Sequence, residues 1–158
     1  MDILKFAIEM EKEGEKYYKE QAYINKNNSL HTVFINLAKD ECHHAQIIEN
    51  KLEGTAYHPE AEISSWTKNV FDDLKSFKME EKAMPQQIDA YRMALDKEKE
   101  SIELYKKLLK ENNEDKALFE FLIMQEEEHY KVLDEIVQFV NRPNEWVENA
   151  EFGKRENY

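Results

Sequence analysis

Apolar positions recur at three-and-four spacing through four long stretches of the chain, the period of helices that bury one stripe. Ile3, Leu4, Ala7, Met10, Gly14, Tyr17 and Tyr18 mark the first and predict a helix over residues 2 to 25. Asn27-Asn28-Ser29 interrupts it. Ser29 offers a cap for a second helix, whose stripe is Phe34, Leu37, Ala38, Ala45, Ile48 and Leu52 and which ends near Gly54. Residues 55 to 83 lose the period, hold Pro59 and Ser64-Ser65, and read as a crossover with a short helix from Trp66 to Phe77. Pro85 suits the start of a third helix, marked by Ile88, Tyr91, Leu95, Ile102, Tyr105 and Leu109 and ending near Asn112-Asn113. The fourth carries Leu118, Phe119, Leu122, Ile123, Leu133, Ile136, Val137 and Val140, with Arg142-Pro143 expected to stop it.

Short links within each pair and a long one between the pairs describe an all-α four-helix bundle with one long crossover between helices two and three, the ferritin-like connectivity. Residues 1–140 make the bundle, and 141–158, with Trp146, Val147 and Phe152, are expected to form a tail packing on it. Three Gly and three Pro in 158 residues are too few for a many-stranded β fold. Charge narrows the partners: 22 Lys and Arg against 34 Asp and Glu give −12, which sets nucleic acid aside. No apolar run is long enough to predict a membrane span. The opening Met1-Asp2-Ile3-Leu4-Lys5-Phe6 lacks the layout of a secretion signal, so a cytoplasmic protein is expected. Cys42 is the single cysteine, so any metal must be held by carboxylates and imidazoles. Cys42 itself is read as a packing residue, and Asp40 and His43 as flanking the buried stripe.

Six polar residues fall where apolar ones belong. Glu11 stands four after Ala7 and seven before Tyr18, Glu41 four after Leu37, and His44 four before Ile48. Glu98 stands four after Ala94 and seven before Tyr105, Glu126 four after Leu122, and His129 four before Leu133. Glu13 and Glu100 lie two residues off the ligand positions and are read as solvated.

The six are in register with an internal repeat. Shifting residues 7–19 by 87 superposes Ala7/Ala94, Glu11/Glu98, Lys12/Lys99, Glu13/Glu100, Tyr18/Tyr105 and Lys19/Lys106. Shifting 34–45 by 85 superposes Phe34/Phe119, Leu37/Leu122, Glu41/Glu126 and His44/His129. Two duplicated hairpins packed antiparallel would bring four acids and two histidines to one level. Burying four unpaired carboxylates costs several kcal/mol each, and no inward Lys or Arg accompanies them. Two divalent cations would balance four carboxylates, with one histidine for each metal. Oxygen-rich ligation with a single imidazole suits iron or manganese, iron being the better choice. Tyr18 and Tyr105, two turns beyond Glu11 and Glu98, are expected to reach back as hydrogen-bond donors that orient carboxylates.

Glu11 to Tyr18, Glu41-x-x-His44, Glu98 to Tyr105 and Glu126-x-x-His129 resemble the rubrerythrin branch of the ferritin-like di-iron proteins over residues 1 to 140. The resemblance implies a di-iron centre that reduces hydrogen peroxide, or one that oxidises Fe²⁺ with dioxygen as in ferritin-like iron storage. By position, Glu11 and Glu98 would be terminal ligands, Glu41 and Glu126 bridging ligands, and His44 and His129 one nitrogen ligand for each iron. Two departures stand out. Typical rubrerythrins add a rubredoxin domain with four cysteines, and a helix-three glutamate where this chain has Ser101. A separate electron donor is therefore expected, rubredoxin above all, with a homodimer or other homo-oligomer as the assembly. A metal-free helical interaction module is disfavoured by the buried charge.

Overall fold

The computed structural model describes residues 2–55, 66–68, 87–111 and 113–156, with residues 68, 113 and 139–156 described as backbone alone. Four long helices carry the fold: α1 (Ile3–Ile24), α2 (Leu30–Glu53), α3 (Ile88–Glu111) and α4 (Lys116–Glu156). Among the described residues there is no strand. Asp2 starts α1 by accepting the Leu4 N–H at 2.9 Å. At the start of α2 the cap differs from expectation: Asn28 Oδ1, and not the Ser29 hydroxyl, accepts the Leu30 N–H at 2.9 Å. Gly54 ends α2 at φ 76°, a left-handed conformation that costs a residue without Cβ least, and its N–H bonds back to the Lys51 carbonyl.

Two predicted boundaries need correction or fall elsewhere. Arg142-Pro143 does not stop the fourth helix, which continues to Glu156. A proline withholds one N–H, and the Glu, Trp and Ala residues beyond it are helix-compatible enough to carry the ladder on. The side chains of Trp146, Val147, Phe152 and Val140 lie outside the described residues, as do Pro59 and Pro85. Of the crossover, a 3-10 turn at Trp66–Lys68 is described; the remainder of the short helix expected to Phe77 lies outside the described residues.

Close backbone approach occurs within the pairs, α1 against α2 and α3 against α4. The two hairpins meet through their side chains, in two apolar clusters. One gathers Tyr18, Leu30, Phe34, Leu37, Tyr91 and Leu133; the other gathers Ile8, Ile48, Tyr105, Leu118, Phe119 and Leu122. Between them in chain position, on all four helices, stand the inward acids and histidines. Leu52, placed on the stripe by its spacing, is exposed near the end of α2. No helix among the described residues is long and apolar enough to cross a membrane.

Phe34 is fully buried between Tyr18 and Tyr91, with ring centroids 6.2 and 5.6 Å away. Phe34→Ala should cost about 3–5 kcal/mol, because the hairpins cannot close the space left. Chemical denaturation of wild type and variant measures this, and a loss under 1 kcal/mol would show that the cluster does not hold the hairpins together.

Candidate metal centre

The structure brings together all six residues that the sequence placed inward. Glu11 comes from α1, Glu41 and His44 from α2, Glu98 from α3, and Glu126 and His129 from α4, and none is more than 4% exposed. They form two overlapping groups, Glu11, Glu41, His44 and Glu126, and Glu41, Glu98, Glu126 and His129. Within each group one donor atom per residue lies within 4.8 Å of the others. Glu41 and Glu126 belong to both, as a bridging pair would.

Both imidazoles turn Nδ1 toward the carboxylates. His44 Nδ1 lies 3.3 Å from Glu11 Oε2 and 2.9 Å from Glu126 Oε1. His129 Nδ1 lies 3.2 Å from Glu41 Oε1, 3.6 Å from Glu98 Oε1 and 3.7 Å from Glu126 Oε1. Each Nε2 faces a polar residue of the other hairpin: His129 Nε2 meets Asp40 Oδ2 at 2.9 Å, and His44 Nε2 meets Gln125 Oε1 at 3.3 Å. Trp66 Nε1 donates to the same Asp40 oxygen at 2.8 Å. Sequence reading left Asp40 as a flanking residue and passed over Gln125 and Trp66. The register held a signal, since the shift of 85 that pairs Glu41 with Glu126 also pairs position 40 with 125.

The tyrosines do orient carboxylates, but across the bundle and not along their own helices. Tyr18 donates to Glu98 Oε1 and Tyr105 to Glu11 Oε1, each at 2.5 Å. Seven residues of helix rise about 10.5 Å, beyond the reach of a tyrosine, whereas antiparallel packing of α1 on α3 sets each tyrosine opposite the other helix's glutamate. Burial and the neighbouring carboxylates push both phenols well above their usual range, so each remains a proton-bearing donor.

Gly14 makes room for the centre. A Cβ there would lie 3.0 Å from Glu41 Oε2, so α1 passes this carboxylate where only glycine leaves it undisturbed. The 87-residue shift pairs Gly14 with Ser101. Together with Met10, Glu41 and Glu98 these two small residues line a cavity of about 90 Å³, rimmed by the exposed Glu13, Lys97 and Glu100. Ser101 is buried, and its hydroxyl donates to the Lys97 carbonyl at 3.1 Å. Glu13 and Glu100 are exposed as expected. Cys42 is also exposed, which corrects its assignment to packing.

Ionisation within the cluster is divided. Burial, with the charges of Glu11, Glu126 and Glu98, pushes Glu41 well up; burial with Glu11 and Glu98 does the same to Glu126. Burial also opposes ionisation of Glu98, but the His129 charge and hydrogen bond outweigh it and bring the carboxyl to about 2. For Glu11 the same opposition by burial is outweighed by His44 and its hydrogen bonds, leaving it below the usual range. Burial pulls His129 down, yet Glu98 and Asp40 raise it well above an ordinary histidine. Without metal, the two shared carboxyls and His129 thus keep their protons to higher pH than usual, which reduces the local negative charge.

With all four carboxyls ionised, as a bound metal would hold them, three oxygens of the cluster have no hydrogen-bond donor: Glu98 Oε2 and both oxygens of Glu126. Glu126 Oε1 is near His44 Nδ1 but off the direction a hydrogen bond needs. Buried acceptor atoms converging without donors suit a cation, and the donor set of carboxylates with one imidazole suits a hard or borderline divalent metal. Family comparison agrees, since the sequence profile of the rubrerythrin family matches residues 2–137. The chain belongs to that family. Its membership and the buried cluster together support a di-metal site. No curated protein and no solved structure matches the chain.

The metal-free protein should lose stability as pH rises. Glu41 and Glu126 have raised folded values, so their contribution is complete below the ordinary 4.5 and is lost as pH climbs through those values. His129 acts in the same sense above 6.5. Glu98 opposes them only in acid, as pH falls from 4.5 toward about 2. Thermal melts of chelator-treated protein should therefore show a falling Tm between pH 5 and 8, and a Tm that climbs over this range would contradict the ionisation described. Gly14→Ala should weaken metal binding by at least about tenfold through Glu41, which equilibrium dialysis against Co²⁺ measures.

Proposed function

We propose that Glu11, Glu41, His44, Glu98, Glu126 and His129 hold two metal ions, iron by preference with manganese also compatible, and that the protein reduces hydrogen peroxide to water with electrons from a separate donor protein. The observation that carries the reading is the set of donorless oxygens on Glu98 and Glu126 within two overlapping carboxylate-histidine groups. In this reading Glu11 and Glu98 would be terminal ligands, Glu41 and Glu126 would serve both metals, and each metal would take one imidazole.

Bound iron would supply the two electrons that peroxide cleavage requires. The chain supplies position and access. Tyr18 and Tyr105 fix one oxygen each of Glu98 and Glu11, leaving Glu11 Oε2 beside His44 and Glu98 Oε2 without a hydrogen-bond partner. The cavity beside Gly14 and Ser101 reaches Glu41 and Glu98 from the exposed rim, and its volume accommodates a molecule as small as peroxide. Glu13 and Glu100 at the rim are placed to relay from solvent the two protons that converting peroxide to two waters consumes.

One observation favours a second reading, ferroxidase or iron storage. Ser101 occupies the position of the extra glutamate, and its hydroxyl engages the Lys97 carbonyl and Met10 Sδ instead of the cluster. No carboxylate from position 101 can exchange onto a metal. Stopped-flow oxidation of the anaerobically reduced, iron-loaded protein separates the readings, the peroxidase requiring faster reaction with hydrogen peroxide than with dioxygen at equal concentration. Faster reaction with dioxygen gives the ferroxidase precedence. Size exclusion adds a second discrimination, since a storage cage and a small homo-oligomer differ grossly in mass.

Native protein should contain close to two metals per chain, and Glu126→Ala should lose most of both because that residue serves both groups. Elemental analysis gives the count, and full occupancy in the variant would remove the site assignment. Turnover should stop after one reaction with peroxide and resume when rubredoxin and its reductase are added. Sustained consumption driven by NADH with the purified chain alone would refute the need for a donor.

A further inference from the structure

The two groups offer identical donors, three glutamates and one histidine each. Their tyrosines also match, Tyr105 on Glu11 and Tyr18 on Glu98, each at 2.5 Å. One difference survives behind the histidines. His129 Nε2 rests on the Asp40 carboxylate at 2.9 Å, itself tied to the Trp66 indole at 2.8 Å. His44 Nε2 rests on the Gln125 amide oxygen at 3.3 Å. These partners occupy equivalent places in the repeat, so the pseudo-twofold is broken where a carboxylate on one side faces a neutral amide on the other.

A histidine that gives its far N–H to a carboxylate is a stronger electron donor through its near nitrogen, and such a charge-assisted contact is shorter and stronger than an amide contact. Asp40 also adds one negative charge beside the His129 position that Gln125 does not add beside His44. Both effects act in one direction. We propose that the two metal positions are unequal, the one at Glu41, Glu98, Glu126 and His129 filling first and holding its ion more tightly, with Asp40 and Gln125 as the positioning residues that set the order. This rests on the di-metal reading and adds a sequence of loading to it.

Trp66 provides a reporter tied to one side, since its ring lies 6.3 Å from the His129 ring and its N–H is bonded to Asp40. In a Trp146→Phe background, Trp66 is the remaining indole. Titration of the metal-free full chain with Co²⁺, followed by cobalt absorption and by Trp66 quenching, should give two steps about 10–100-fold apart in affinity. Quenching should accompany the first. Asp40→Asn keeps the shape and an acceptor but removes the charge, and should weaken the first step until the two merge. Gln125→Glu should strengthen the second step, a gain that structural damage does not produce. The two substitutions combined should reverse the order, moving the quenching to the second equivalent. Two ions binding to wild type with equal affinity, or an order unchanged in the double variant, would overturn the proposal while leaving the di-metal reading intact. Absence of any cobalt binding would overturn both.

Discussion

Four buried carboxylates that pair with no lysine or arginine among the described residues set the conditions for the rest of this molecule. Such a group is unfavourable in a low-dielectric interior unless protons, hydrogen bonds or cations compensate it. The chain uses the first two where metal is absent: protons on Glu41, Glu126 and His129, and phenolic donors on Glu11 and Glu98. The apolar clusters then carry the stability that the middle layer cannot, with Phe34, Leu37 and Leu133 in one and Ile48, Leu118 and Phe119 in the other. A bundle assembled this way keeps a polar seam in place because its two ends are dry.

Much of this was legible in the sequence because helical periodicity and an internal repeat are local or near-local properties. Three-and-four spacing is visible within a dozen residues, and Glu41 and Glu126 announce themselves by occupying a leucine's place. What stayed hidden depended on relations between hairpins. The partner of Tyr18 is Glu98, which requires knowing how α1 lies on α3. Asp40 sits one residue from a ligand, a position that on its own helix looks peripheral, and it becomes buried only when α4 delivers His129 against it. Leu52 obeys the period yet is exposed near the helix end, and Pro143 reads as a stop but withholds a single hydrogen bond from a helix that continues.

The repeat also shows which features are under joint constraint. Gly14 and Ser101 are related by the same shift as Glu11 and Glu98, and both are small where the helices flank the shared glutamate. Smallness there serves two ends at once, since it lets Glu41 keep its orientation and leaves a passage beside it. A larger residue at either position would have to sacrifice one or the other.

Finally, among the described residues close backbone contact is concentrated inside the hairpins, while the hairpins touch mainly through side chains. Contacts close in sequence form quickly, so each half can order over its own short turn before the halves meet. Docking then becomes a late event in assembly, and it completes the apolar clusters and the layer of acids and histidines together. Until that moment neither half possesses a complete set of donors. The fold thereby delays the appearance of a reactive centre until there is an interior to enclose it.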